Sequence, residues 1–91
     1  MTSHAAMRVN YDDLADTLYV SIEDRAHGRY REDNEHEGVV WRLASDGHEY
    51  GVTVMDFREV WAGRTPNLAR LIADHLRLQS ASVERLLERA S

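Results

Sequence analysis

Three aspartates, Asp12, Asp13 and Asp16, crowd one short stretch, and histidines recur at His27, His36 and His48 among the acids Asp33, Glu35 and Glu37. Carboxylates this close can hold a hard divalent cation. A histidine next to an acid, as in His36-Glu37, can act as a general base or a metal ligand. Neither chemistry is completed by the surrounding residues. A calcium loop needs more oxygen ligands and a glycine at its bend, and Tyr11 to Thr17 offers neither. The zinc spacings His-x-x-x-His and His-Glu-x-x-His do not occur. There is no Gly-x-Ser-x-Gly elbow and no glycine-rich phosphate loop. We therefore expect Asp12 to accept backbone N–H groups in an Asx-type turn and Asp16 to help close it. The histidines read as solvated loop residues. No catalytic residue, metal ligand or cofactor is expected.

These residues sit on a chain of 91 residues with 43% hydrophobic and 30% charged content, the size and balance of one globular domain. Cysteine is absent, which excludes disulfides and thiolate metal sites and suits a reducing, cytoplasmic setting. The first residues, Met1 to Ala6, lack the basic and apolar regions of a signal peptide. No apolar run approaches the roughly 20 residues that cross a bilayer, so no membrane association is expected. The net charge of −5 repels phosphate backbones and argues against nucleic acid. The basic residues Arg25, Arg29 and Arg31 around Tyr30 are diluted at once by Glu32 and Asp33.

The elements that must position these groups follow from periodicity. Met7, Val9 and Tyr11 alternate with polar neighbours, and so do Leu18, Val20 and Ile22, the period-2 pattern of half-buried strands. A loop over Asp13 to Asp16 sets Tyr11 against Leu18, Val9 against Val20 and Met7 against Ile22, with every apolar residue on one face. Asp46-Gly47 predicts a two-residue type I′ turn. That turn pairs Ser45 with His48, Leu43 with Tyr50, Trp41 with Val52 and Val39 with Val54. Between the hairpins Asp24 to Glu37 is polar, and Arg29 to Glu32 is expected to run extended along a sheet edge. Asp56-Phe57-Arg58-Glu59 reads as a capping box opening one helical turn that ends at Gly63. Thr65 is then an N-cap with Pro66 at the first helical position. Leu68, Leu71, Ile72, His75, Leu76 and Gln79 follow helical spacing. Ser80-Ala81-Ser82 weakens or breaks that helix, and Val83, Leu86, Leu87 and Ala90 make a second apolar stripe.

The expected fold is α+β: a four-stranded antiparallel β-meander covered on one face by a C-terminal α-helix. Residues 1–91 form one domain, with a sheet core at 7–61 and a helical extension at 65–91. The expected core is Val9, Leu18, Val20, Ile22, Val39, Trp41, Val52, Val54, Leu68, Ile72 and Leu76.

Tyr11-Asp12, Ala15-Asp16, Leu18-Tyr19-Val20, Gly38-Val39, Asp46-Gly47, Gly51 and Val54 together resemble the small prokaryotic family called "domain of unknown function 2283". Its members read Tyr-Asp, Ala-Asp-x-Leu-Tyr-Ile, Gly-Val, an Asp-Gly turn and a Gly-Ile-x-Ile-Leu-like strand. The resemblance runs from about Val9 to Trp61. Asp13 stands where the family often has proline, and Trp41-Arg42 stand in a strand that is usually aliphatic and acidic. The resemblance implies a compact β-rich fold and no established activity. It also implies companionship with other short genes, including toxin-like ones.

The expected function is a non-catalytic interaction or oligomerising module. Its candidate binding residues are Tyr19 and Val40 on the second sheet face, and Val83, Leu86 and Leu87 on the surplus helical stripe. The expected partner is a second copy in a homodimer, or a small protein such as a basic toxin whose surface an acidic chain could mask. The alternative is a small metal-dependent hydrolase using Asp12, Asp16 and the loop histidines.

Overall fold

Alternating apolar residues become two buried rows of a five-stranded antiparallel sheet. The computed structural model describes residues 7–22 and 29–90. Its elements are β1 (Arg8–Asp12), β2 (Thr17–Ser21), β3 (Arg29–Glu32), β4 (Val39–Leu43), β5 (Glu49–Met55), α1 (Phe57–Trp61), α2 (Thr65–Leu76) and α3 (Ser80–Ala90). One row runs Val9, Val20, Val52, Trp41, Arg31 across the sheet, and the next runs Tyr11, Leu18, Val54, Val39. The first hairpin keeps the expected register, Tyr11 opposite Leu18 and Val9 opposite Val20. Arg29 to Glu32 does form an edge strand, and it is the fifth.

The strand order is β1-β2-β5-β4-β3 rather than that of a sequential meander. The last strand lies in the centre, between β2 and β4. Val52 and Val54 are fully buried there, and a central strand gives such residues apolar neighbours on both sides. Gly51 permits the close approach of β2. A Cβ at this position would lie 2.8 Å from the Val20 carbonyl oxygen.

The second hairpin departs from the two-residue turn. Gly47 N–H donates to the Ala44 carbonyl at 2.9 Å, and Ala44 N–H donates to the His48 carbonyl at 2.9 Å. Gly47 therefore closes a three-residue loop at φ +93, a left-handed position that favours glycine. A bulge follows. Trp41 still faces Val52 and Val39 still faces Val54, but Leu43 now faces Glu49 instead of Tyr50. The extra residue reverses the facing of the β5 start, so Glu49 meets α2 while Tyr50 lies near Arg42.

Helix α2 ends at Leu76, three residues before the expected Gln79, because Arg77 adopts φ 59 and its N–H returns to the Ala73 carbonyl. Its N-cap is Arg64 rather than Thr65, with no side-chain cap. Ser80-Ala81-Ser82 opens α3 instead of breaking a helix. The Gln79 carbonyl accepts the Ser82 and Val83 N–H groups.

The largest difference concerns the tail. α3 packs beside α2 on the same sheet face, α2 against β5 and α3 against β1. Val83 and Leu87 are fully buried in the one core with Leu68, Ile72 and Leu76, and Leu86 is half-buried. The stripe is thus not surplus. Five strands at about 4.8 Å spacing span roughly 19 Å, room for two helices packed about 8–10 Å apart. A four-stranded sheet would leave less. The core also takes in Phe57, Trp61, Ala69 and Ala73, while Val9 and Ile22 flank it half-buried.

Candidate functional site

The aspartate turn is built for structure. Asp12 Oδ1 accepts the N–H groups of Leu14 (3.1 Å) and Ala15 (3.3 Å), as an Asx-type turn requires. Asp16 reaches much farther along the chain. Its carboxylate accepts the N–H of Arg58 (2.9 Å) and of Glu59 (3.2 Å) and the Tyr11 hydroxyl (2.6 Å). Its carbonyl accepts the Phe57 N–H at 2.9 Å. One residue in the first hairpin therefore satisfies three of the N–H groups that the start of α1 leaves without helical partners. This replaces the expected capping box: Asp56 takes a left-handed φ of 55 and makes no side-chain cap bond. The Tyr11 hydroxyl, then the Arg58 N–H, hold the Asp16 carboxyl below its usual range. The same bond to Asp16 raises the Tyr11 hydroxyl. Asp16, Asp56 and Glu59 bring carboxylate oxygens within 4.8 Å of one another. The Asp16 oxygens already serve α1 and Tyr11, and exposed acids in such an arrangement need no ion.

A second polar cluster lies where β3, the loop after it and α2 meet. Asp33 accepts the Trp41 Nε1–H at 2.8 Å and the His36 and Glu35 N–H groups at 3.0 and 3.1 Å, and its Oδ2 bonds His36 Nδ1 at 2.8 Å. His75 stacks on Trp41 with ring centres 3.9 Å apart. Its Nδ1 bonds Glu49 at 2.8 Å, and Glu49 also pairs with Arg31. The bulge in β5 is what brings Glu49 to His75. A cleft of about 230 Å³ opens over Arg31, Asp33, His36, Leu71 and His75, and another of about 420 Å³ lies over His48, Glu49, His75 and Arg77. A carboxylate-oriented imidazole can move a proton. No serine or threonine hydroxyl is among the residues lining either cleft. His75 reads in the sequence as one more member of an apolar helical stripe. Only the fold reveals its two partners, the Glu49 carboxylate and the Trp41 ring.

Burial would raise the Asp33 carboxyl, but hydrogen bonds from Trp41 and His36 outweigh it and bring it from the usual 3.8 to about 2. A depressed folded-state value stabilises the fold above the unfolded value and ceases to do so as pH falls through the folded one. The contribution of Asp33 is thus complete above about pH 4 and fades toward pH 2. In urea titrations across that window the native chain should lose more stability than Asp33→Asn. Equal losses would show that the network does not bind the ionised form preferentially.

The uncovered sheet face carries two further rows: Arg8, Ser21, Gly51, Arg42, Tyr30, and Asn10, Tyr19, Thr53, Val40, Glu32. Tyr19 is 40% exposed and Tyr30 is 64% exposed. Val40 is half-buried between Thr53 and Glu32. The Arg42 guanidinium sits 5.6 Å from the Tyr30 ring centre and 5.9 Å from that of Tyr50. Alternation in the sequence puts Tyr19, Val40 and Arg42 on this face, but only Tyr19 and Val40 stand among the expected binding residues, and Arg42, Tyr30 and Tyr50 do not. Alternation does signal Arg42 and Tyr30, whereas Tyr50 joins only through the bulge. Of the helical candidates, Val83 and Leu87 are inside the core, leaving only Leu86 part-exposed. His36 and His48 each bond a nearby aspartate, Asp33 and Asp46. His27 and Arg25 lie outside the described residues.

Among the described residues no helix is long and apolar enough to cross a membrane. The model of the family described as "Protein of unknown function (DUF2283)" matches residues 8–58, from the start of β1 into α1. No curated protein and no solved structure matches the chain.

Proposed function

The chain belongs to the DUF2283 family of proteins of unknown function, and we propose that it is a non-catalytic interaction module that binds through the open face of its sheet. The observation that carries this reading is the asymmetry of cover. Both long helices lie on one face and spend their apolar stripes there, while the opposite face keeps Tyr19, Tyr30, Val40 and Arg42 with no helix of the described residues above them. Tyrosine and arginine are the residue types that most often dominate binding energy at protein interfaces. The Arg42 guanidinium lies near two tyrosine rings, contacts that restrict it before any partner binds.

The occupant we propose is a second copy. The face carries both signs, Arg8 and Arg42 in one row and Glu32 at the end of the next, so it can complement itself across a two-fold axis. The net charge of −5 also suits a basic, toxin-like protein on the same face. The hydrolase alternative gains nothing from the geometry, because Asp12 and Asp16 hold backbone N–H groups. The test is light scattering at micromolar concentration. The native chain should run as a dimer and Tyr19→Lys as a folded monomer. A native monomer, or a dimer indifferent to Tyr19→Lys, would overturn the self-association.

A further inference from the structure

We propose that the cavity beside α1 binds a carboxylate borne on a small apolar group. It measures about 300 Å³ and is lined by Phe57, Arg58, Trp61, Ala62, Gly63 and Thr65. That is the lower end of the range for small-molecule sites. Two observations beside it call for an acceptor and a counter-charge. Trp61 is only 3% exposed, and its Nε1–H has no acceptor among the described residues. A buried donor left without a partner is costly. Three residues on in the chain, the exposed Arg64 holds its guanidinium 4.8 Å from the Trp61 ring centre. Its Nη1 makes one long bond, 3.5 Å, to the Val60 carbonyl. Among the described residues no carboxylate pairs with Arg64. The other indole, in Trp41, shows the contrast: its Nε1–H is satisfied by Asp33 at 2.8 Å.

A carboxylate meets both needs at once, as an acceptor for Nε1–H and as a counter-charge for Arg64. The apolar remainder of the ligand has Phe57, Ala62 and the Trp61 ring to lie against. Nε1 is sealed from water in the ligand-free chain, so the acid reaches it only when a surface side chain moves, and the exposed Arg64 against the indole ring is placed to be that group. The same chemistry is offered by a free organic acid and by the C-terminal carboxylate of a peptide ending in an apolar residue. The site is independent of the open sheet face.

The full-length chain labelled with ¹⁵N gives two indole N–H signals, which Trp61→Phe or sequential assignment tells apart. Phenylacetate should move the Trp61 signal saturably and leave that of Trp41 in place. Phenylacetamide should bind at least about tenfold more weakly, and Arg64→Gln should weaken phenylacetate by about tenfold, the scale of one charge-assisted bond. Gly-Gly-Phe, compared with its C-terminal amide, distinguishes the sources. Tighter binding of the peptide than of phenylacetate assigns the site to a peptide terminus, and the reverse assigns it to a free acid. A Trp61 signal unmoved by both acids, or moved equally by the acids and their amides, would overturn the proposal.

Discussion

Trp41→Ala is expected to lower the stability of the chain by about 3–5 kcal/mol, the range for removing a large side chain from a core. Trp41 is fully buried in the middle of the sheet, opposite Val52 on β5 and Arg31 on β3. The loss has two parts. The first is the cavity left among Val39, Val52 and the helices above them. The second is polar: without the indole, Asp33 loses the Nε1–H donor and His75 loses the ring on which it stacks. Trp41→Phe separates them, because it keeps most of the volume and removes only the donor. Its expected cost is about 1–3 kcal/mol, that of a buried acceptor deprived of one partner. Urea unfolding of both variants measures the pair. If Trp41→Ala melts near the native midpoint, Trp41 is not in the core and the register of the second hairpin is wrong.

That register shows how far local pattern carries. Period-2 alternation places Val39, Trp41, Val52 and Val54 on one face without knowledge of the fold, because a strand whose apolar residues share a face has one register that buries them. It fails at Leu43, two residues past Trp41. A bulge adds one residue to β5, and nothing in Glu49-Tyr50 announces it, since either residue fits either face at a strand end. The exchange matters for the candidate site: it sends Glu49 to His75 and Tyr50 toward Arg42. Asp16 fails for a different reason. Its partners are the N–H groups of Arg58 and Glu59, more than 40 residues away, whereas a local reading credits Asp56 with the cap. The Ala-Asp part of the family motif thus holds a helix at the far end of the matched segment. Tyr19 and Val40 were legible as an outward-facing pair because alternation assigns both faces of a strand at once.

Ending the chain at Gln79 is expected to abolish cooperative folding. In the sequence, Val83, Leu86, Leu87 and Ala90 look like a stripe with no room in a small core, hence a surface for a second copy. That argument assumed four strands. β3 widens the sheet, and α3 then covers the part over β1 that α2 leaves bare. Val83 and Leu87 are buried as completely as Leu68 and Ile72, and each fully buried aliphatic side chain contributes about 1.5–3 kcal/mol. Removing α3 deletes both and also uncovers the α2 surface and the β1 edge they pack against. The sum takes up much of the roughly 5–15 kcal/mol available to a small domain. A point variant gives the graded version: Leu87→Ala should cost about 2–5 kcal/mol and still fold. Circular dichroism through a urea titration of both chains is the measurement. A chain stopped at Gln79 that unfolds cooperatively at the native midpoint would mean that α3 contributes nothing to the core. The stripe would then again be available to a second copy, whereas loss of folding leaves the open sheet face as the surface proposed for a partner.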